Sequence, residues 1–221
     1  MASAPNNARA LVVVAHPDDE TLWAGGALLD TPRCDWHIAA LCRASDPDRA
    51  PRFRRAVEQL GARGSIGDLD DSPGQNPLPV ATIEQTILSM LPEERFDRIL
   101  THSPNGEYTR HRRHEQTAWA VIGLWCVGRL KADELLLFAY EDGYGAYLPK
   151  AIENASVYAT LEESTWQTKY RIITETYGFA PTSFEARTTP RAEAFWKLTC
   201  RADARAWLTM EAYRHESTRT I

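Results

Sequence analysis

The sequence predicts an α/β fold, a mostly parallel sheet flanked by helices, with a helical and loop extension toward the C-terminus. Short β-branched apolar runs alternate with longer amphipathic ones over roughly the first 140 residues, the rhythm of βαβ units. At 43% hydrophobic, 25% charged and 10% aromatic, the composition is that of a chain that buries a core. No internal repeat or low-complexity tract interrupts it.

Taken in order, Arg9–Ala15 (RALVVVA) is a compact β-branched run, short enough for a buried strand. Thr21–Leu29 follows at helical spacing. Trp36–Cys42 reads as a second strand and Pro51–Leu60 as a helix stopped by Gly61. Ser65–Ile66 carries a short third strand before the turn-rich Gly67–Pro79. Val80–Leu91 is helical, Arg98–Thr101 strand-like, His111–Arg129 a long helix and Glu134–Tyr140 a further strand. Beyond this the rhythm breaks. Glu141–Pro149 is rich in Gly and Tyr and reads as a loop, while Tyr158–Tyr170 and Arg191–His215 read as helices.

The length of 221 residues fits one domain over 1–221, with a core at about 9–140 and residues 141–221 as its elaboration. A formal charge of −5 supplies no basic field for nucleic acid or an anionic membrane. Mean hydropathy is −0.42, and no apolar run approaches the roughly 20 residues of a membrane span. The first residues lack the order of a signal peptide. Cys34, Cys42, Cys126 and Cys200 lie far apart with no C-x-x-C pair, as small core residues do. These features point to the cytoplasm.

Chemistry concentrates in two segments. Directly after the first strand stands Ala15-His16-Pro17-Asp18-Asp19-Glu20-Thr21-Leu22-Trp23-Ala24-Gly25-Gly26. In open α/β sheets the carboxyl ends of strands are where ligands bind. His16 and Asp19, three apart, can be aimed at one ion by a tight turn that Pro17 stiffens. Helix capping would need only one of these acids, and packing a histidine with three carboxyls repels unless a cation offsets it. After the RILT strand, His102, His111 and His114 bring to four the number of histidines in these segments, out of six in the chain. His111 and His114 share a helical face. Two imidazoles and a carboxylate suit Zn²⁺ with an open fourth position.

The AHPDDETLWAGG block, with a later H-x-x-H after a strand, resembles the PIG-L/LmbE-like superfamily of zinc-dependent N-acetylglucosaminyl deacetylases over roughly residues 9–125. The resemblance implies a Rossmann-like fold, zinc bound by His16, Asp19 and His114, Asp18 as general base, and His111 assisting the tetrahedral transition state. Fe²⁺ or Mn²⁺ could replace zinc. It implies a small-molecule substrate, an N-acetylated amino sugar or glycoconjugate, and, since members often assemble into trimers or hexamers, it allows a homo-oligomer. Arg49, upstream of Leu60-Gly61, matches a substrate-contacting arginine of relatives, with Arg52 as its rival. Tyr108 lies three residues before the histidine pair, where some members place an active-site tyrosine two before. The family often writes the second motif G-H-P-D-H, whereas this chain has Arg110-His111-Arg112-Arg113-His114. Whatever orients His111 must therefore come from elsewhere.

In the expected reaction, Asp18 takes a proton from zinc-activated water and passes it to the leaving nitrogen, and a cationic His111 offsets the oxyanion. Two other readings compete. The same donors describe the facial triad of non-haem Fe(II) oxygenases, and a Rossmann-like scaffold can carry a non-catalytic metal. Asp68, Asp70 and Asp71 are read as pocket rim or solvated turn. Phe195, Trp196, Trp207 and Tyr213, at roughly helical spacing, are read as core packing or a subunit contact rather than a sugar platform.

Overall fold

A computed structural model describes residues 8–72, 74, 76–108, 111–206 and 208. The first strand, β1 (Arg9–Val14), sends Ala10, Val12 and Val14 into one apolar cluster and Leu11 and Val13 into another on the opposite face. A strand buried on both faces belongs at the centre of a parallel sheet. It pairs in parallel with β2 (Asp35–Cys42) on one side and β4 (Arg95–Thr101) on the other. β3 (Arg63–Leu69) lies beyond β2, and β5 (Lys131–Phe138) beyond β4, both parallel. The third strand is thus longer than Ser65–Ile66.

Helices cover both faces. α1 (Asp19–Leu29) and α2 (Arg49–Gln59) bury Leu22, Trp23, Phe53 and Val57 in the first cluster. α3 (Val80–Met90) and α4 (Arg112–Cys126) bury Ile83, Ile87, Val121 and Trp125 in the second. The chain winds outward through β2 and β3, then returns to β4 on the other side of β1. That reversal opens a crevice between the carboxyl ends of β1 and β4.

The C-terminal part departs from the expected helices. Tyr158–Tyr170 begins as a strand, β8 (Val157–Thr160), and becomes helical only at α5 (Glu163–Arg171). Arg191–His215 opens with β9 (Ala192–Leu198), which pairs antiparallel with β5 and with β8 to complete a seven-stranded sheet. The cause is tertiary: β5 would otherwise end the sheet with an unpaired row of backbone groups. Phe195 and Trp196 pair with Phe138 and Leu137 on this edge rather than on a helix. Trp207 and Tyr213 lie outside the residues described. β6 (Tyr140–Glu141) and β7 (Lys150–Ala151) bracket the expected loop. A π-helical turn, Ile172–Thr176, continues α5, and α6 (Phe184–Thr188) precedes β9.

The two glycines of the first motif have a packing reason. Glu193 of β9 accepts from the N–H groups of Gly26 and Ala27 (2.7 and 2.8 Å) and pairs with Lys169 (2.6 Å), both side chains buried. A Cβ on Gly26 would lie 2.3 Å from Leu161 and 3.1 Å from the Glu193 carboxyl. On the same helix Tyr140 donates to the Trp23 carbonyl at 2.7 Å. Among the described residues, no helix is long and apolar enough to cross a membrane.

Glu193→Ala leaves the buried Lys169 ammonium without its carboxylate, so it should lower unfolding free energy by about 3–5 kcal/mol in urea titrations. A loss below about 1 kcal/mol would show that water replaces the carboxylate there.

Candidate active site

Loops at the carboxyl edge of the parallel strands deliver the polar side chains. His16, Asp18 and Asp19 turn out of β1 into α1. Arg43 and Arg49 follow β2, and Asp71 follows β3. His102, Glu107, Tyr108 and His111 follow β4, with His114 in the first turn of α4. His16, Asp18, Asp19, Arg49, Tyr108 and His111 line one cavity of about 250 Å³, closed on one side by Phe184 and Glu185.

The three expected ligands converge. His16 Nδ1 lies 3.1 Å from Asp19 Oδ2 and 3.1 Å from His114 Nε2, and the last two atoms are 3.3 Å apart. Each ring has a carboxylate at its far nitrogen: Glu107 Oε2 accepts from His114 Nδ1 at 2.8 Å, and Asp71 Oδ1 lies 3.0 Å from His16 Nε2. The bond to Glu107 puts the His114 proton on Nδ1 and leaves Nε2 as an acceptor. His16 Nδ1, His114 Nε2 and an Asp19 oxygen face one point, where a cation would offset their crowding. A tetrahedral ion with bonds of about 2.0–2.1 Å sets its donors roughly 3.3 Å apart. The donor set fits such an ion.

His102 and Glu107 complete the setting. His102 is fully buried and stacks on His114 with ring centres 4.0 Å apart. Its Nε2 accepts the Ala15 N–H at 3.0 Å, so its proton sits on Nδ1, 3.2 Å from Glu107. That makes His102 a buttress, although it lies close enough to Asp19 and His114 to form a metal-binding group with them. Glu107 also accepts the Ser103 N–H at 3.0 Å. Burial works against its charge, but His102 and His114 hold its pKa down to about 2.

The remaining candidates divide clearly. Burial, then the charge of Asp19, lifts the Asp18 carboxyl well above the usual range, opposed by Arg49 and His16. For Asp19, burial is outweighed by His114 and His102, which hold it well below that range. Burial and the His114 and His16 rings push His111 down to about 4, so it is neutral at physiological pH rather than cationic. Its Nδ1 is buried without a hydrogen-bond partner among the described residues. Arg49 reaches the cavity and pairs with Asp18 at 3.3 Å, whereas Arg52 turns away to the carbonyls of Thr176 and Tyr177. Tyr108 stacks 5.8 Å from Trp23 and meets Phe184 at 5.0 Å, forming a wall. Asp71 is drawn inward, while Asp68 binds Ser45 away from the donors.

The sequence profile of the PIG-L family, described as GlcNAc-PI de-N-acetylase, matches residues 11–125. The chain belongs to the PIG-L family. It is similar to an uncharacterized protein of Acanthamoeba polyphaga mimivirus, 22% identical over 121 residues, which are 48% of this chain and 52% of that protein. The chain thus spans about half the length of the curated relative it matches. Its fold is similar to that of the N,N'-diacetylchitobiose deacetylase from Pyrococcus horikoshii, with a TM-score of 0.64 at 13% identity over 86% of this chain and 84% of the other. A deacetylase of teicoplanin biosynthesis gives a TM-score of 0.58 at 16% identity over 77% and 84%.

For a PIG-L protein, the arginine before the last histidine is a departure with a visible consequence. Arg113 is almost wholly buried. It donates to the carbonyls of Asp70 (2.6 Å) and Asn76 (3.3 Å) and to the Gln116 side chain, holding the segment that carries Asp71.

Equilibrium dialysis should find about one divalent ion per chain, with none retained by His114→Ala. Glu107→Gln should weaken binding about 10–100-fold. Unchanged affinity in Glu107→Gln would show that this carboxylate does not set the His114 tautomer.

Proposed function

We propose that the chain is a zinc-dependent amide hydrolase that removes the acetyl group from an N-acetylated amino sugar or an N-acetylglucosamine conjugate. One observation carries the reading. Beside three converging donors stands a carboxylate, Asp18, that is not among them, is lifted above its usual range, and faces a cavity. A purely structural metal site needs neither that base nor that space. Membership of the PIG-L family supports the same reaction class.

An ion held by His16, Asp19 and His114 would acidify a water molecule and polarise the acetyl carbonyl. Asp18 would accept the water's proton and return it to the leaving nitrogen, a task for which a raised carboxyl is matched near neutral pH. His111, held neutral, would donate a hydrogen bond to the oxyanion instead of lending it a positive charge. Arg49 both orients Asp18 and presents its guanidinium to the cavity, where it would meet a substrate hydroxyl. Tyr108 would pack against the sugar ring. A cavity of about 250 Å³ sits just below the roughly 300–1,000 Å³ of drug-sized sites, which favours one small acylamino unit inside with the rest of a conjugate outside. Fe²⁺ or Mn²⁺ would suit the same donors. All four cysteines are free thiols, as a reducing cytoplasm would keep them.

Acetate release should be measured on a panel of N-acetylglucosamine conjugates with protein loaded separately with Zn²⁺, Fe²⁺ and Mn²⁺. Asp18→Asn and His111→Ala should each cut turnover by about 10²-fold or more while metal content stays at the wild-type level. Near wild-type turnover in either variant would remove that residue from its role. Failure of the wild type on the whole panel would overturn the proposed substrate class.

A further inference from the structure

Asp18 has a backbone conformation that its side chain does not explain. Its φ is 112°, in the region that glycine populates freely and other residues enter only under constraint. Strain of this kind persists where surrounding structure over-determines it. The constraint comes from Glu20, which is fully buried two residues later. Glu20 Oε2 accepts the Asp18 N–H at 3.0 Å, and its Oε1 accepts from the Tyr177 and Thr21 hydroxyls, each at 2.6 Å. Tyr177 is itself buried and follows the π-helical turn Ile172–Thr176, far along the chain.

The same stretch reaches Asp18 by a second route. Phe179 lies under the Arg49 guanidinium, 4.4 Å from ring centre to Cζ, and Arg49 pairs with the Asp18 carboxylate at 3.3 Å. Arg52 ties the stretch to α2 through the Tyr177 carbonyl at 2.8 Å. This approach is open because residue 178 is glycine, where a Cβ would fall 2.1 Å from Arg52 Nη1. π-Helical turns are often found at functional sites. Here the turn delivers one anchor to the backbone and one to the side chain of the same carboxylate.

We propose that Tyr177 and Glu20 are positioning residues for the general base: the hydroxyl of Tyr177 holds the Glu20 carboxylate, which in turn holds the strained backbone of Asp18 in its working orientation. The catalytic half of this inference rests on the hydrolase reading above; the structural half does not. The C-terminal part of the chain thus belongs to the machinery of the site although its described residues supply none of the converging donors.

Tyr177→Phe removes one oxygen and keeps the buried ring, so the test is local. Hydrogen exchange followed by NMR should show the Asp18 amide exchanging about tenfold faster in the variant, with the β1 amides unchanged. Turnover should fall about tenfold with KM within about twofold of wild type and metal content unchanged. Glu20→Gln, which keeps an acceptor oxygen, should lose less than Glu20→Ala. Thr176→Val is the control, since it breaks a bond of the same turn to Gln59 (2.8 Å) that does not lead to Asp18. It should leave both exchange at Asp18 and turnover near wild type. Unchanged Asp18 exchange in Tyr177→Phe, or an equal effect in Thr176→Val, overturns the proposal. If the wild type releases no acetate from any substrate, the hydrolase reading fails and the exchange measurement alone decides this inference.

Discussion

Two imidazole nitrogens and a carboxylate oxygen meet within 3.3 Å of one another, and the surrounding polar structure follows from keeping these groups together. Each is held from behind. His114 is backed by Glu107, His16 by Asp71, and Asp19 by the Trp23 indole N–H at 3.1 Å. The backing groups are held in turn: Glu107 by Ser103 and His102, and Asp71 by Arg43 at 2.7 Å. These residues stand on loops that leave four different parallel strands. The site therefore depends on the register of β1 against β2 and β4, and of β2 against β3. A shift of one residue in any of these ladders would turn a ligand or its support to the other face.

The part of the chain beyond β5 does two structural jobs that bear on this point. β9 closes the edge that β5 would leave open, and from it Glu193 reaches the backbone of α1 at Gly26 and Ala27. Buried ion pairs such as Lys169–Glu193 often add little net stability, because desolvating both charges offsets their attraction. This one has a further use. It grips the distal half of α1, while Asp19, at the start of that helix, faces the converging donors. The orientation of the helix that carries Asp19 is thus set from both ends, and Gly25-Gly26 is the pair of residues small enough to admit the grip.

The parallel half of the fold was legible because local and global signals agree there. β-Branched runs such as LVVV can be buried on both faces, and the helices between them have apolar stripes. β9 was not legible. Its segment AEAFWKL is rich in helix-forming residues and puts Glu193 among apolar neighbours, so propensity points to helix. Only the unpaired edge of β5 and the waiting N–H groups of α1 reverse that preference, and neither is local. At the site, the position of the motif after β1 and the pairing of His111 with His114 were readable from spacing. His102 carried a signal, a histidine directly after a strand, but its part as a buttress depends on the Ala15 N–H at 3.0 Å. Glu107 and Tyr177 carried none. Glu107 meets His114 seven residues away with no regular spacing between them, and Tyr177 meets Glu20 across 157 positions.

Arg113 shows why a departure from a family motif has to be read in place rather than scored as a loss. A buried guanidinium must find acceptors, since a buried charge without partners is costly. It finds them in the carbonyls of Asp70 and Asn76, and neighbouring Gln116 takes the Leu78 carbonyl at 2.9 Å. The bond to Asp70 ties that residue to α4, and its neighbour Asp71 lies 3.0 Å from His16. A carboxylate thus stands beside His16 of the first motif. Burial, and then the His114 and His16 rings, outweigh Asp19 and Asp71 and hold the His111 pKa below its usual range. The same substitution that removes one acid from the second motif therefore helps to hold another in the first.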